Sequence, residues 1–230
     1  MRVLHVDVTT GEVSEEDLPR EAEELWLGGA GLGAWLTYRE VPAGADPLGP
    51  DNVVVFTPGL VNGVPLITPG KCTFTAKSPL TGTIGDATMG GSLGAATRHA
   101  GYHAIVVRGR SVKPVTVVVD DDRVTLRPSS DLWGLDPRRA SEELRGELGQ
   151  DLSVATIGVA GENMVRYACV DCDDRQSGRG GLGAVLGSKL VKAIAVRGTG
   201  RVPVAREEEL ADLMEASRDK VAIYRTRVVM

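Results

Sequence analysis

The spacing of apolar residues along the chain predicts a succession of short strands and helices. Apolar and polar positions alternate over residues 2–8, and a return strand begins at Val13, which together predict a β-hairpin at the start of the chain. Residues 19–27 and 31–40 have the spacing of amphipathic helices. Further strands are predicted over residues 53–56, 71–77, 104–107, 115–119, 124–126, 152–158 and 164–170.

Two other segments have a distinct local signature. Residues 136–145 are predicted to form a helix, because the pair Asp136-Pro137 is a helix start signal. Residues 57–70 are rich in proline and glycine and form no periodic pattern. Irregular segments of this length inside compact domains often line functional sites.

The chain contains an internal repeat. Residues 90–109 read GGSLGAATRHAGYHAIVVRG and residues 180–198 read GGLGAVLGSKLVKAIAVRG. Both run from a Gly-Gly turn through a short helix into a strand that ends in Arg-Gly, and residues 28–34 repeat the opening more weakly. Self-similarity of this kind indicates duplication, so we expect two like halves.

The glycine-rich stretch of the second repeat has the features of an anion site. Four glycines precede an apolar helix there, namely Gly178, Gly180, Gly181 and Gly183. Glycines let main-chain N–H groups approach a ligand, the helix start adds partial positive charge, and Arg175 and Arg179 add full charges. These features predict a bound phosphate, and two such helix starts could hold a ligand with two phosphates. The alternative is that the glycines serve only helix–strand packing.

Composition narrows the class of protein. The chain has 230 residues, enough for one good core or for one domain and part of another. A net charge of −5 argues against a general nucleic-acid or anionic-membrane partner. The apolar runs are too short for a membrane span and the N-terminus has the pattern of a strand, so we expect a cytoplasmic protein.

The cysteines and the acidic turn are weak metal-site candidates. Three cysteines cannot form a disulfide framework, and the C-x-x-C of Cys169 and Cys172 falls on a predicted strand, where positions i and i+3 face opposite sides. We interpret these two as incidental thiols. The run Asp120-Asp121-Asp122 lies at a predicted hairpin turn and is more typical of a solvated loop than of a metal site.

The composition changes near the end of the chain. Residues 198–203 are followed by a charged helix without glycines over residues 203–224. We therefore predict one domain over residues 1–200, with residues 203–230 forming the first helix of a second domain.

Several phrases in a fixed order resemble the N-terminal domain of the aldehyde:ferredoxin oxidoreductase family, the tungsten bis-pyranopterin enzymes. They occur at residues 46–52, 77–82, 90–91, 100–102, 158–163 and 178–184. The resemblance implies an α+β fold, a duplicated four-layer α/β/β/α domain with two mixed sheets and helices outside. It also implies that this domain is the base on which two pterins lie, their phosphates joined by a magnesium ion.

The resemblance also implies a set of cofactor-binding residues. The family's phosphate-binding arginine falls at Lys71, its magnesium-associated asparagine at Thr88, and its later arginine and neighbour at Arg175 and Gln176. Magnesium contacts at Thr88 and Gln176 would come from the main chain. With the glycine-rich turns, the expected cofactor site comprises Lys71, Thr88, Gly90, Gly91, Arg175, Gln176, Arg179 and Gly181. Lysine loses the bidentate fork of arginine, and Ala30 replaces a further arginine of the family.

The implied activity is oxidation of an aldehyde to a carboxylic acid at tungsten or molybdenum, with ferredoxin as electron acceptor. Family members carry the acid/base residues and the four cysteines of a 4Fe-4S cluster in two further domains. Three scattered cysteines cannot supply that cluster. Because the acid/base residues also belong to the further domains, no catalytic residue is expected here and the chain alone should be inactive. A separate chain could supply the remaining domains. The alternatives are a non-catalytic module that binds a pterin or another diphosphate, and a split-gene fragment.

Overall fold

The computed structural model describes residues 1–66 and 70–228, with side chains described up to residue 218. In these residues twelve strands form two six-stranded sheets. The strands are β1 (Arg2–Asp7), β2 (Val13–Asp17), β3 (Val54–Pro58), β4 (Cys72–Lys77), β5 (Ile84–Met89), β6 (Ala104–Arg108), β7 (Val115–Asp120), β8 (Arg123–Pro128), β9 (Ser153–Thr156), β10 (Val170–Cys172), β11 (Arg175–Ser177) and β12 (Val191–Arg197). The helices are α1 (Arg20–Trp26), α2 (Gly29–Glu40), α3 (Leu93–His99), α4 (Pro137–Leu148), α5 (Val159–Glu162), α6 (Leu182–Ser188) and α7 (Glu207–Val228).

The two sheets have the same topology. The first has the strand order β2-β1-β6-β3-β4-β5, and the second, read from its β8 edge, has the order β8-β7-β12-β9-β10-β11. In each sheet the first strand of the half pairs in parallel with the last, β1 with β6 and β7 with β12, and the other pairs are antiparallel. The two repeats occupy equivalent places, α3–β6 and α6–β12. The predicted duplication is confirmed.

The layers follow from which faces of the sheets are apolar. Helices α1 and α2 cover the outer face of the first sheet through a cluster that includes Val3, Leu32 and Leu36. Helix α4 covers the second sheet, with Leu144 packed beside Val154. The largest cluster combines residues of both sheets and lies between them. The predicted α+β four-layer fold with two mixed sheets is therefore confirmed.

The short helices α3 and α6 differ from the outer helices. Each contacts strands of both sheets, and Leu93 and Leu186 belong to the central cluster. Because α6 is buried over its whole length, its sequence is apolar on every side. The helices of the two repeats therefore lie inside the domain, whereas the family resemblance had placed the helices outside the sheets.

Local signals account for several elements. The carboxylate of Asp136 accepts a hydrogen bond from the main-chain N–H of Arg139 at 3.1 Å, with Pro137 at the first helical position, so α4 starts where predicted. The acidic turn after β7 contacts other side chains of the protein. Asp120 forms an ion pair with Arg197 at 2.5 Å, and Asp121 accepts hydrogen bonds from Thr199. This turn fixes the end of β12.

The strand predicted over residues 164–170 is wrong for most of its length. Met164 has a φ of +54°, which ends any extended run, and only Val170–Cys172 is a strand. Residues 165–168 instead fold over the start of α6, where Ala168 accepts a hydrogen bond from the N–H of Gly183 at 3.0 Å. A tertiary contact therefore overrides the local β pattern.

The two cysteines of the C-x-x-C lie in different environments. Cys169 is exposed and precedes β10, whereas Cys172 is buried within it. Burial raises the pKa of Cys72 and of Cys172 to about 12, so both thiols stay protonated at neutral pH. The described residues contain no group of three or more histidine, cysteine or acidic side chains placed to hold a metal ion.

The segment after β12 returns to the first half before α7 begins. The N–H of Gly200 donates to the carbonyl of His99 at 3.0 Å. A groove of about 960 Å³ lies between α7 and this segment, lined in part by Leu210 and Met214. Across the described part of the chain, no helix is both long and apolar enough to cross a bilayer. The domain boundary near residue 200 stays a prediction.

Candidate functional site

At the helix start of each repeat, one main-chain N–H donates to an acceptor of the protein itself. At α3, the N–H and the hydroxyl of Ser92 donate to the carboxylate of Asp173 at 3.1 and 2.6 Å. At α6, the N–H of Gly183 donates to the carbonyl of Ala168. These donors are not free for a ligand, and the expectation that each start binds a phosphate stays a prediction for the remaining main-chain N–H groups. A helix start does attract an anion here, but the anion at α3 is Asp173.

The glycines of the second repeat serve packing. Gly181 has a φ of +73°, and a Cβ on it would overlap the carbonyl of Arg166. A Cβ on Gly183 would likewise overlap the carbonyl of Cys169. The packing alternative thus explains these two positions, and a ligand contact at Gly181 stays a prediction.

The exposed candidates gather where the two sheets meet. We call the boundary between β5, the edge strand of the first sheet, and β11, the edge strand of the second, the seam. The hydroxyl of Ser177 donates to the carbonyl of Ala87 at 3.0 Å, and the hydroxyl of Ser78 donates to the carbonyl of Gly180 at 2.7 Å. A Cβ on Gly90 would lie 3.6 Å from Cγ of Arg175. The two edges therefore run antiparallel, with Thr88 beside Gln176.

The main-chain carbonyl of Thr88 faces the seam. At the turn between β4 and β5, the main-chain N–H of Ser78 donates to the carbonyl of Thr83 at 2.8 Å. Ser78 and Thr83 are therefore a hydrogen-bonded pair. Hydrogen-bonded and non-hydrogen-bonded pairs alternate along an antiparallel ladder. Counting from that turn, Thr73 and Thr88 form a non-hydrogen-bonded pair. The N–H and C=O of Thr88 therefore point away from its own sheet.

The same argument applies to Gln176 in the other half. Asp173 and Asp174, with φ values of +53° and +58°, form the two-residue turn between β10 and β11. A turn of this type is flanked by a hydrogen-bonded pair, here Cys172 and Arg175. The next pair, Asp171 and Gln176, is then non-hydrogen-bonded. The carbonyl of Gln176 also points away from its own sheet, toward β5.

The side chains of these two residues are held within their own sheets. The hydroxyl of Thr88 lies 3.2 Å from that of Thr73, its partner across the strands. The amide of Gln176 donates to the carboxylate of its partner Asp171 at 2.6 Å. Each half therefore offers the seam a main-chain carbonyl, which is the type of contact expected at Thr88 and Gln176.

Three of the candidate residues are exposed cations. Lys71, Arg175 and Arg179 form no ion pair with any residue that the structure describes. By contrast, Arg127, on the far edge strand β8, pairs with the carboxylates of Asp131 and Glu147. Arg175 lies at the seam beside Gly90, and its guanidinium is available to an external anion.

The structure adds residues that sequence reasoning did not single out. Asp86 is exposed two positions before Thr88, on the same side of β5. Ser78, Asp171 and Asp173 each hold part of the seam through the hydrogen bonds described above. The alternation of exposed and buried positions along β5 could have identified Asp86 from the sequence. The contacts of Ser78, Asp171 and Asp173 could not be identified in this way, because they depend on how the two halves meet.

The chain matches the family model described as "Aldehyde ferredoxin oxidoreductase, N-terminal domain" over residues 3–198. It is 43% identical over 222 residues to a tungsten-containing aldehyde ferredoxin oxidoreductase of Thermococcus kodakarensis, and 39% identical over 222 residues to one of Pyrococcus furiosus. Each alignment covers 96% of this chain and 36% of the relative.

Two further proteins are similar over most of the chain. The aliphatic sulfonate oxidoreductase WOR-like subunit of Pyrococcus furiosus is 30% identical over 227 residues, covering 90% of this chain and 36% of the relative. The active-site complex BamBC of benzoyl coenzyme A reductase, solved with 1,5-dienoyl-CoA, superposes with a TM-score of 0.92 at 35% identity. That superposition covers 96% of this chain and 34% of the solved one. The chain thus belongs to the aldehyde ferredoxin oxidoreductase family, and residues 3–198 are its N-terminal domain.

Proposed function

We propose that this chain is the pterin-binding base of a tungsten- or molybdenum-dependent oxidoreductase that oxidises aldehydes to carboxylic acids and passes the electrons to ferredoxin. The observation that carries the proposal is the strand register of each half, which directs one main-chain carbonyl from each toward the seam. The names of the curated relatives support the metal, the substrate class and the acceptor. The chain spans 36% of their length, so the remaining parts of that activity require residues beyond these 230.

The residues at the seam fit a cofactor with two phosphates joined by magnesium. Magnesium prefers oxygen ligands, and the carbonyls of Thr88 and Gln176 supply one from each half. Arg175 can bind one phosphate through its guanidinium fork, and Lys71 can bind another as a point charge. Arg179 adds a further positive charge close to Gly180 and Gly181.

The glycines of the first repeat keep the main chain close to this site. Gly90 lies against the stem of Arg175, since a Cβ there would be in ordinary contact with its Cγ at 3.6 Å. Gly91 has a φ of +100°, a conformation that favours glycine, and a Cβ on it would be 3.1 Å from Sγ of Cys172. A larger residue at Gly91 would therefore push the start of α3 away from the β10–β11 turn.

The division of roles follows from these contacts. When bound, the cofactor supplies the redox-active metal, and this chain supplies binding, orientation and charge. An iron–sulfur cluster with four thiolate ligands needs more cysteines than the three in this chain. We therefore place the cluster, and the protein groups that handle protons at the aldehyde, on residues outside this chain.

A titration with pyrophosphate tests the proposal, because pyrophosphate reproduces the two linked phosphates. We expect the chain to bind it in the presence of Mg²⁺ and much more weakly in its absence, as measured by isothermal titration calorimetry. Replacing Arg175 with alanine should weaken binding about tenfold or more, the effect of losing a charge-assisted hydrogen bond. The matched control Arg123→Ala removes an exposed arginine from β8, the far edge of the second sheet.

Two outcomes of this titration contradict the proposal. One is binding that does not depend on Mg²⁺, which would favour a general diphosphate-binding module. The other is an equal loss in Arg175→Ala and Arg123→Ala, which would locate the anion away from the seam.

A further inference from the structure

We propose that Asp173 is a positioning residue for the cofactor site: its carboxylate fixes the β10–β11 turn to the start of α3 and thereby sets where Arg175 and the carbonyl of Gln176 face Thr88. This inference rests on the proposed function and names a residue that neither the repeat nor the family motifs single out.

The contacts of Asp173 join parts of the molecule that are distant in sequence. Its Oδ2 accepts hydrogen bonds from the N–H and the hydroxyl of Ser92 at 3.1 and 2.6 Å. Its Oδ1 accepts a hydrogen bond from the guanidinium of Arg145 in α4 at 2.6 Å. Arg145 is itself held by the carbonyl of Leu152 at 2.9 Å. The carboxylate thus connects the outer helix of the second half to the inner helix of the first.

These contacts hold one end of the seam. At the other end, the hydroxyl of Ser78 donates to the carbonyl of Gly180 at 2.7 Å. Between the two ends, the hydroxyl of Ser177 donates to the carbonyl of Ala87. Thr88 and Gln176 lie between the middle contact and the Asp173 end, so a change at Asp173 alters the position of one carbonyl relative to the other.

The turn couples Asp173 directly to the predicted ligands. Asp173 and Asp174 are the two turn residues, and Arg175 and Gln176 follow at once in β11. The stem of Arg175 lies against Gly90, two residues before Ser92. Moving the turn away from α3 therefore displaces Arg175 and Gln176 together.

A charged carboxylate is needed at this position. Four donors converge on its two oxygens, namely the N–H and hydroxyl of Ser92, the guanidinium of Arg145 and the thiol of Cys172. Asparagine keeps the shape but replaces one acceptor with a donor, which would point at Ser92 or at Arg145. The substitution Asp173→Asn is therefore the minimal change that breaks the anchor.

The neighbouring residue provides a matched control. Asp174 lies in the same turn with a φ of +58°, is exposed, and forms no hydrogen bond or ion pair with a described residue. Asparagine is well tolerated at such a φ. A second control, Arg127→Ala, changes a residue on β8, the edge strand far from the seam, and removes its ion pairs with Asp131 and with Glu147 of α4. It lowers stability and removes no contact of Asp173 or of the seam.

The test uses the full 230-residue chain and two measurements. The first is the affinity for pyrophosphate in the presence of Mg²⁺. The second is hydrogen exchange of the amides of residues 85–91 and 175–178, which needs no ligand. We expect Asp173→Asn to weaken binding about 10- to 100-fold, the effect typical of losing a group that orients a metal ligand. Exchange at the seam should be faster in this variant alone.

The outcomes separate this inference from the proposed function. Wild-type affinity in Asp173→Asn would overturn the positioning role, as would an equal loss in Arg127→Ala, which would indicate a general effect of stability. Absence of Mg²⁺-dependent binding in the wild type would contradict the proposed function. In that case the exchange measurement decides alone, and unchanged exchange in Asp173→Asn would overturn the anchor as well.

Discussion

A single glycine illustrates why residue type alone did not identify the ligand contacts. Gly181 opens the second repeat and resembles the glycines of phosphate-binding turns. In the structure its positive φ and the nearby carbonyl of Arg166 already require glycine. The same residue type serves a close approach to protein and a close approach to phosphate, so the sequence could not distinguish them.

This packing role predicts a stability defect. Gly181→Ala should lower the free energy of unfolding by about 1–3 kcal/mol, because alanine would be held at a positive φ against a main-chain carbonyl. Gly146→Ala is the matched control in α4, where a Cβ meets nothing within 4 Å, and it should raise stability by about 0.5–1 kcal/mol. Urea unfolding of both variants measures the difference. Equal stabilities would contradict the packing explanation.

The carbonyl of Thr88, and not its side chain, is the contact that we propose for magnesium. Thr88→Val removes the hydroxyl and keeps a β-branched residue in the strand. We expect the affinity for pyrophosphate with Mg²⁺ to change by no more than about twofold, the size of an ordinary surface substitution. A loss of tenfold or more on calorimetric titration would show that the hydroxyl is a ligand and would contradict the main-chain assignment.

At the scale of elements, the sequence predicted what local signals determine. The opening hairpin, the α4 start at Asp136 and the hairpin of β7 and β8 all have turn or cap residues at the required spacing. Residues 164–168 have an equally good strand pattern and are not a strand. Their main chain is required to cover the start of α6, a contact that no local signal encodes.

The contact between the β10–β11 turn and α3 also predicts a pH dependence. Burial alone would raise the pKa of Asp173, but the donors of Ser92 and Arg145 hold it below the usual value. A carboxylate with a lowered native pKa stabilises the fold above its unfolded pKa of about 3.9, and this contribution is lost as the pH falls through the native value. Cys172, 3.6 Å away, has a pKa raised to about 12 and does not titrate in this range.

We therefore expect the stability difference between the wild type and Asp173→Asn to be constant from about pH 8 to about pH 5, and to shrink below about pH 4. Chemical unfolding of both proteins across this range measures it. A difference that shrinks above pH 5 would mean that the native pKa of Asp173 is not lowered.

The whole molecule is two copies of one topology that meet at their edge strands. The repeat in the sequence predicted the duplication, and the family motifs indicated Lys71, Thr88, Arg175 and Gln176. The repeat alone does not predict that Thr88 and Gln176 lie side by side, whereas the resemblance implied it by assigning both to one magnesium ion. That juxtaposition depends on β5 and β11 meeting in antiparallel fashion, through contacts between residues about 90 positions apart.

The measurement that most directly tests whether the seam holds a metal-bearing pterin is elemental analysis of the purified chain. The chain would be produced anaerobically with tungstate in a host that makes the pterin, and tungsten, molybdenum, magnesium and phosphorus would be quantified per chain. We predict that the wild type and the control variant Arg110→Ala/Lys113→Ala/Arg123→Ala retain tungsten or molybdenum together with magnesium. The variant Lys71→Ala/Arg175→Ala/Arg179→Ala should lose them while staying folded. A folded wild-type chain free of both metals, or equal retention in the two triple variants, would contradict the account.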